Sequence, residues 1–112
     1  YIDKVDVKKV YILNLTFYEV GNALWKDYRI HKKIKDPFIL AKLFHELLRK
    51  FNVLRDLPMQ EVIRVAVERG LTYYDASYVF AAISRGLALV SNDKDLLEKG
   101  NAISFKEFIK TL

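Results

Sequence analysis

At 112 residues the chain has room for one domain with a real core and not for two. Its 52% hydrophobic content excludes a disordered chain, and the absence of cysteine excludes a disulfide framework or a thiolate zinc site. A net charge of +5 and a pI near 9.4 favour an anionic partner, nucleic acid first.

Tyr1 stands where a methionine would start a chain, so a processed, truncated or subcloned beginning is expected. Residues 1–9 are polar, without a clear period, and read as a lead-in. Val10-Tyr11-Ile12-Leu13 reads as a buried strand. Asn14-Leu15-Thr16 then opens a helix with Phe17, Val20, Leu24 and Tyr28 on one face, and Thr16 to Glu19 has capping-box spacing. Lys26, Arg29, His31, Lys32, Lys33 and Lys35 form a basic run leading into a connection. Asp36-Pro37 starts a second helix, with Asp as N-cap and Pro in the first turn and Leu40, Leu43, Phe44, Leu47 and Leu48 as its stripe. The two helices fit an αα-hairpin.

Phe51 to Leu54 is a second strand candidate. Pro58 opens a helix with apolar Met59, Val62, Ile63, Ala66 and Val67, closed by Gly70. The next helix is capped by Thr72 and ended by Gly86, with Ala76, Val79, Phe80 and Ile83 as its stripe. Leu87 to Val90 is a continuous apolar run suited to a strand buried on both faces. Ala102-Ile103-Ser104 fits an edge strand, and Ser104 with Glu107 caps a last short helix. Strands alternating with helices make the class α/β with a mostly parallel sheet. No stretch has the length and apolarity of a membrane span and no leader is visible, so the expected location is the cytoplasm, away from the membrane.

A helix feeding a parallel strand runs antiparallel to it. Its start, at Asp75, is therefore expected beside the end of the strand that leads to Asp93. Glu19 opens the helix after the first strand, so topology carries it to a carboxyl edge as well. Like charges gathered there repel unless a cation lies between them, and hard carboxylate oxygens suit Mg²⁺ or Mn²⁺. The chemistry implied is in-line phosphodiester hydrolysis by a metal-activated water. Each acid also has a plainer reading, since an acid in a first helical turn stabilises the helix by about 0.3–1 kcal/mol without any metal. Asp95 is evenly balanced between a further ligand and a dipole-paired acid. The lysines are most often a solvated helix face, with phosphate contact the sharper alternative. His31 and His45 read as surface or packing residues.

Leu15-Thr16-Phe17-Tyr18-Glu19-Val20-Gly21-Asn22-Ala23-Leu24, Leu71-Thr72-Tyr73-Tyr74-Asp75-Ala76 and Leu89-Val90-Ser91-Asn92-Asp93-Lys94-Asp95-Leu96 together resemble the motif set of PIN-domain proteins, most nearly the VapC-type toxins. The resemblance implies an α/β/α sandwich over 1–112 and a Mg²⁺- or Mn²⁺-dependent endoribonuclease. Glu19, Asp75 and Asp93 match its acidic positions, with Asp95 as an additional ligand. Ser91 matches a small hydroxyl residue before the third acid, and Asn22 a polar residue facing the same cleft. With Lys26, Arg29, Lys32 and Lys33 they make up the RNA-binding set. A homodimer and an antitoxin partner are further implications. The family begins with a strand ending in a first catalytic aspartate, then a helix, before the segment matching Val10. Nine residues precede Val10 here, so the expectation is an N-terminally truncated domain, and neither Asp3 nor Asp6 takes that aspartate's place. The alternative is an incomplete or degenerate PIN domain that binds nucleic acid or protein without catalysis. A phospho-acceptor domain would need a lysine ending a later strand, and none is evident.

Overall fold

The structure is a computed structural model describing residues 5–112. In chain order, a short 3-10 turn at Val7–Lys9 precedes β1 (Tyr11–Leu13), α1 (Asn14–Arg29), α2 (Pro37–Leu48), β2 (Asn52–Leu54), α3 (Met59–Arg69), α4 (Tyr73–Arg85), α5 (Lys94–Lys99) and α6 (Phe105–Lys110). Every strand pairing among the described residues is parallel, as expected. The chain divides into two compact units, one ending at Arg55 and the other spanning Asp56–Leu112.

In the first unit β1 and β2 form a parallel pair in register Tyr11↔Asn52, Ile12↔Val53, Leu13↔Leu54. The side-chain amide of Asn52 donates to the carbonyls of Lys8 (2.8 Å) and Val10 (3.0 Å), which locks the lead-in onto this ladder. The connection is the expected αα-hairpin. α1 packs on α2, and the Phe17 and His45 rings meet edge-on with centroids 5.8 Å apart. That contact gives His45 the packing role its sequence context suggests. Asp36 caps α2 by accepting from the amides of Phe38 (3.0 Å) and Ile39 (3.1 Å), ahead of Pro37.

α1 opens at Asn14, as expected, but with a different cap. Its N-cap is Leu13, and Thr16, a turn inside, accepts from the Leu13 amide at 3.2 Å. Glu19 therefore lies beyond the first turn, and Thr16 is not the N-cap. The strand runs straight into the helix, so the backbone turns before Thr16 is reached. The α2 stripe is also only partly covered. Leu48 is buried and Leu40 and Leu47 half-buried, but Leu43 and Phe44 are exposed.

The second unit holds the main core: Val62, Leu71, Ala76, Val79 and Leu96, with Leu57, Val65, Ala66, Tyr73, Phe80, Leu89 and Ala102 packed around them. α3 and α4 supply its two walls. Both end as expected at glycines in the left-handed region, Gly70 at φ 65° and Gly86 at φ 63°. Gly100 is needed for a different reason. A Cβ there would stand 2.8 Å from Cγ2 of Val79 and 3.0 Å from the Leu96 carbonyl, so only glycine lets the end of α5 close on α4. Lys99 completes that closure, its Nζ donating to the Gly70 carbonyl at 3.3 Å.

Two expectations fail here. Met59, Ile63 and Val67 line an exposed face of α3, and Ile83 is exposed on α4. Periodicity marks an apolar side of a helix but not whether anything covers it. Leu87 to Val90 is not a strand buried on both faces. Leu87 and Ala88 are exposed, and pairing shrinks to one parallel bridge, Val90↔Ile103. Its bonds are Ile103 N to the Leu89 carbonyl (2.8 Å) and Ser91 N to the Ile103 carbonyl (3.0 Å). A doubly buried strand needs a partner on each side, and among the described residues of this unit only the segment around Ile103 supplies one. α6 forms as expected, with Ser104 accepting from the Glu107 amide at 3.1 Å.

Candidate functional site

Asp75 lies in the first turn of α4, positioned by Thr72, whose hydroxyl accepts from the Asp75 amide at 3.2 Å. Asp93 is the N-cap of α5, its Oδ2 accepting from the Leu96 amide at 3.1 Å, and Asp95 lies in that helix's first turn. The chain places these two helix starts together, and one carboxylate oxygen from each of Asp75, Asp93 and Asp95 lies within 4.8 Å of the others. The expected meeting of Asp75 and Asp93 is thus present, and the structure brings Asp95 to it.

Three carboxylates this close repel one another by about 1 kcal/mol per pair at 4 Å even in water. Capping does not use up their oxygens. Asp93 caps with Oδ2, and each carboxylate offers about four acceptor positions, so one group can hold an amide and a cation together. Asp93 and Asp95 are exposed and Asp75 half-buried, which leaves the cluster open to solvent. An all-oxygen donor set of this kind fits Mg²⁺ or Mn²⁺.

The loop that carries these acids is tied at each residue. Ser91 bonds Ile103 through its backbone, and its half-buried hydroxyl accepts from the Asp93 amide at 3.0 Å. Ser91 thus shapes the loop, besides any contact it makes with RNA. Asn92 was given no role by its sequence context. Its Oδ1 accepts from the Phe105 amide at 3.0 Å, across thirteen residues. An asparagine before an N-cap aspartate was the visible signal, but its partner is set only by the fold.

The remaining candidates lie in the other unit. Glu19, Asn22, Lys26 and Arg29 recur at helical spacing and form one exposed stripe along α1. With Glu19 beyond the first turn, the capping explanation for it lapses. Lys32 and Lys33 follow α1 in the connection, both exposed, and Lys32 adopts φ 53°. Asp6 caps the Val7–Lys9 turn by accepting from the Lys8 amide at 3.0 Å, and Asp3 lies outside the described residues.

Comparison with known proteins supplies the decisive observation: the PIN-domain family model matches residues 1–102. The chain belongs to the PIN-domain family. It is 51% identical over 92 residues to the protein named Exonuclease VapC9 of Pyrobaculum aerophilum, spanning 82% of this chain and 68% of that one. It is 33% identical over 100 residues to the same organism's Ribonuclease VapC3, spanning 86% and 75%. The crystal structure of PAE2754 from Pyrobaculum aerophilum superposes with a TM-score of 0.82 at 47% identity, covering 92% of this chain and 77% of that one. These relatives make the chain a VapC-type PIN-domain protein with the α/β PIN fold.

Proposed function

We propose that this PIN-domain protein is a toxin-type endoribonuclease dependent on Mg²⁺ or Mn²⁺. The observation that carries the reading is the Asp75–Asp93–Asp95 cluster, with carboxylate oxygens within 4.8 Å. The names of the VapC relatives, one an exonuclease and one a ribonuclease, support nuclease chemistry.

Asp75, Asp93 and Asp95 would hold the ion, and Glu19 is proposed as a further catalytic acid from its motif match. When bound, a divalent ion activates water and neutralises charge developing on a phosphate. The protein's own groups prepare for this. Thr72 holds the backbone of Asp75 and the Leu96 amide holds the Asp93 carboxylate before any ligand arrives, so less ordering is left to do on binding. Lys26, Arg29, Lys32 and Lys33, with Asn22 and Ser91, are proposed to contact RNA. The basic groups hold phosphates while the acids stay away from the polyanion unless a cation neutralises them. A homodimer and an antitoxin belong to the same reading. Apolar side chains left uncovered on α2 (Phe38, Ile39, Leu43) and on α3 (Met59, Ile63, Val67) support protein partners.

The test uses RNA labelled at either end, with and without Mn²⁺. Internal cuts that require Mn²⁺ and vanish in Asp75→Asn support the reading. Stepwise shortening from one end would replace endonuclease by exonuclease. RNA that is bound and never cut would leave a binding module.

A further inference from the structure

We propose that Asn92 is a positioning residue for the metal centre, and that α6 is the brace through which it acts. This inference rests on the proposed metal centre above.

Residues 91–93 are tied down one by one, and two of the ties lead to the same short segment. Ser91 N donates to the Ile103 carbonyl at 3.0 Å, and Asn92 Oδ1 accepts from Phe105 N at 3.0 Å. Asp93 follows, its amide on Ser91 Oγ and its carboxylate on the Leu96 amide. A backbone N–H facing Asn92 requires the side-chain oxygen there, so the amide's orientation is fixed by its partner. Phe105 is the first residue of α6, and its N–H is one of the donors that a helix leaves without a partner inside itself. Asn92 satisfies it. Ser104 holds the same helix start from the other side by capping Glu107.

The consequence falls on Asp93 and Asp95. The bridge at Ile103 fixes where the chain arrives at Ser91, and the Asn92 bond fixes the direction in which it leaves toward Asp93. Without it the loop can swing about Ser91, and carboxylates that repel one another will use that freedom to separate. Groups that orient metal ligands without touching the metal typically govern affinity by 10–100-fold. An exposed, single-bond device of this kind belongs near the lower end.

Mn²⁺ binding measured by calorimetry on the full chain tests this. Asn92→Ala is expected to raise the Kd about tenfold. Asn92→Asp keeps an acceptor for Phe105 N and should return the Kd to the parent value or below. Asp36→Ala, which uncaps α2 in the other unit, controls for simple destabilisation and should leave the Kd unchanged. In the unaltered protein, Mg²⁺ titration should also move the Phe105 amide resonance together with that of Leu96. An Asn92→Ala protein that binds Mn²⁺ like the parent, or a Phe105 amide blind to Mg²⁺, overturns the inference while leaving the metal centre standing. A parent that binds neither ion overturns both.

Discussion

The two compact units divide the labour of the chain unevenly. The first 55 residues hold twelve of the nineteen Lys and Arg and only six of the fourteen acids, while the rest hold seven and eight. Among its described residues the basic half buries just Leu13 and Leu48, leaving Phe38 at 83% exposure on α2. The acidic half contains the whole core cluster, with Val62 and Val79 almost fully enclosed. Carboxylates that must stay near one another against repulsion are thus mounted on helix starts anchored by a packed core. Phosphate-binding side chains need no such precision, since a Lys or Arg neutralises a phosphate from many geometries. A lightly packed hairpin would suffice for the phosphate contacts proposed for Lys26, Arg29, Lys32 and Lys33.

The largest effect should come from attacking that difference in packing. Val79→Ala, at a site 1% exposed, removes apolar volume from a closed core and should cost about 2 kcal/mol. Leu43→Ala, at 56% exposure, should stay within about 0.5 kcal/mol. Urea unfolding measures both, and similar costs would erase the contrast between the units. A smaller effect, about 1 kcal/mol, is expected from Asp36→Ala, which removes the acceptor for two amides at the start of α2. Its effect should appear in unfolding and not in metal binding. The smallest change in stability, close to none, belongs to the pair Lys32→Ala and Lys33→Ala. Their effect should appear in RNA binding, where the slope of log K against log salt falls by roughly 0.7 for each phosphate that the protein no longer neutralises. An unchanged slope would reduce the basic run to a solvated face.

Local devices were the legible part of this fold. Asp36-Pro37, Thr72, Ser104 with Glu107, and the terminal Gly70 and Gly86 act within a few residues, and the structure shows each where its chemistry places it. The meeting of Asp75 with Asp93 was legible too, because the lengths of α4 and of the extended segment that returns from it fix where that segment ends. What the residues hid was cover. Met59, Ile63 and Val67 have core-like spacing on α3 and stay exposed. Leu87 to Val90 has a strand's composition and finds a single bridge. Thr16 looked like a cap because hydroxyl and acid stand three apart, yet β1 enters α1 without a gap and Leu13 takes the N-cap position. Asn92 escaped for the same reason: its partner, thirteen residues away, is a product of tertiary structure.

The central claim is that Asp75, Asp93 and Asp95 are gathered for a cation and are more than helix caps. Thermal unfolding with and without Mn²⁺ tests it most directly, on the parent, Asp75→Asn and Asp93→Asn. An amide oxygen still caps, so in metal-free buffer each variant should melt at the parent's temperature or slightly above, as repulsion is relieved. Added Mn²⁺ should raise the parent's melting temperature, by the equivalent of about 2.7 kcal/mol at a hundred times the Kd. The rise should shrink or vanish in both variants. A parent whose melting temperature ignores Mn²⁺, or variants that rise as much as the parent, would contradict the account.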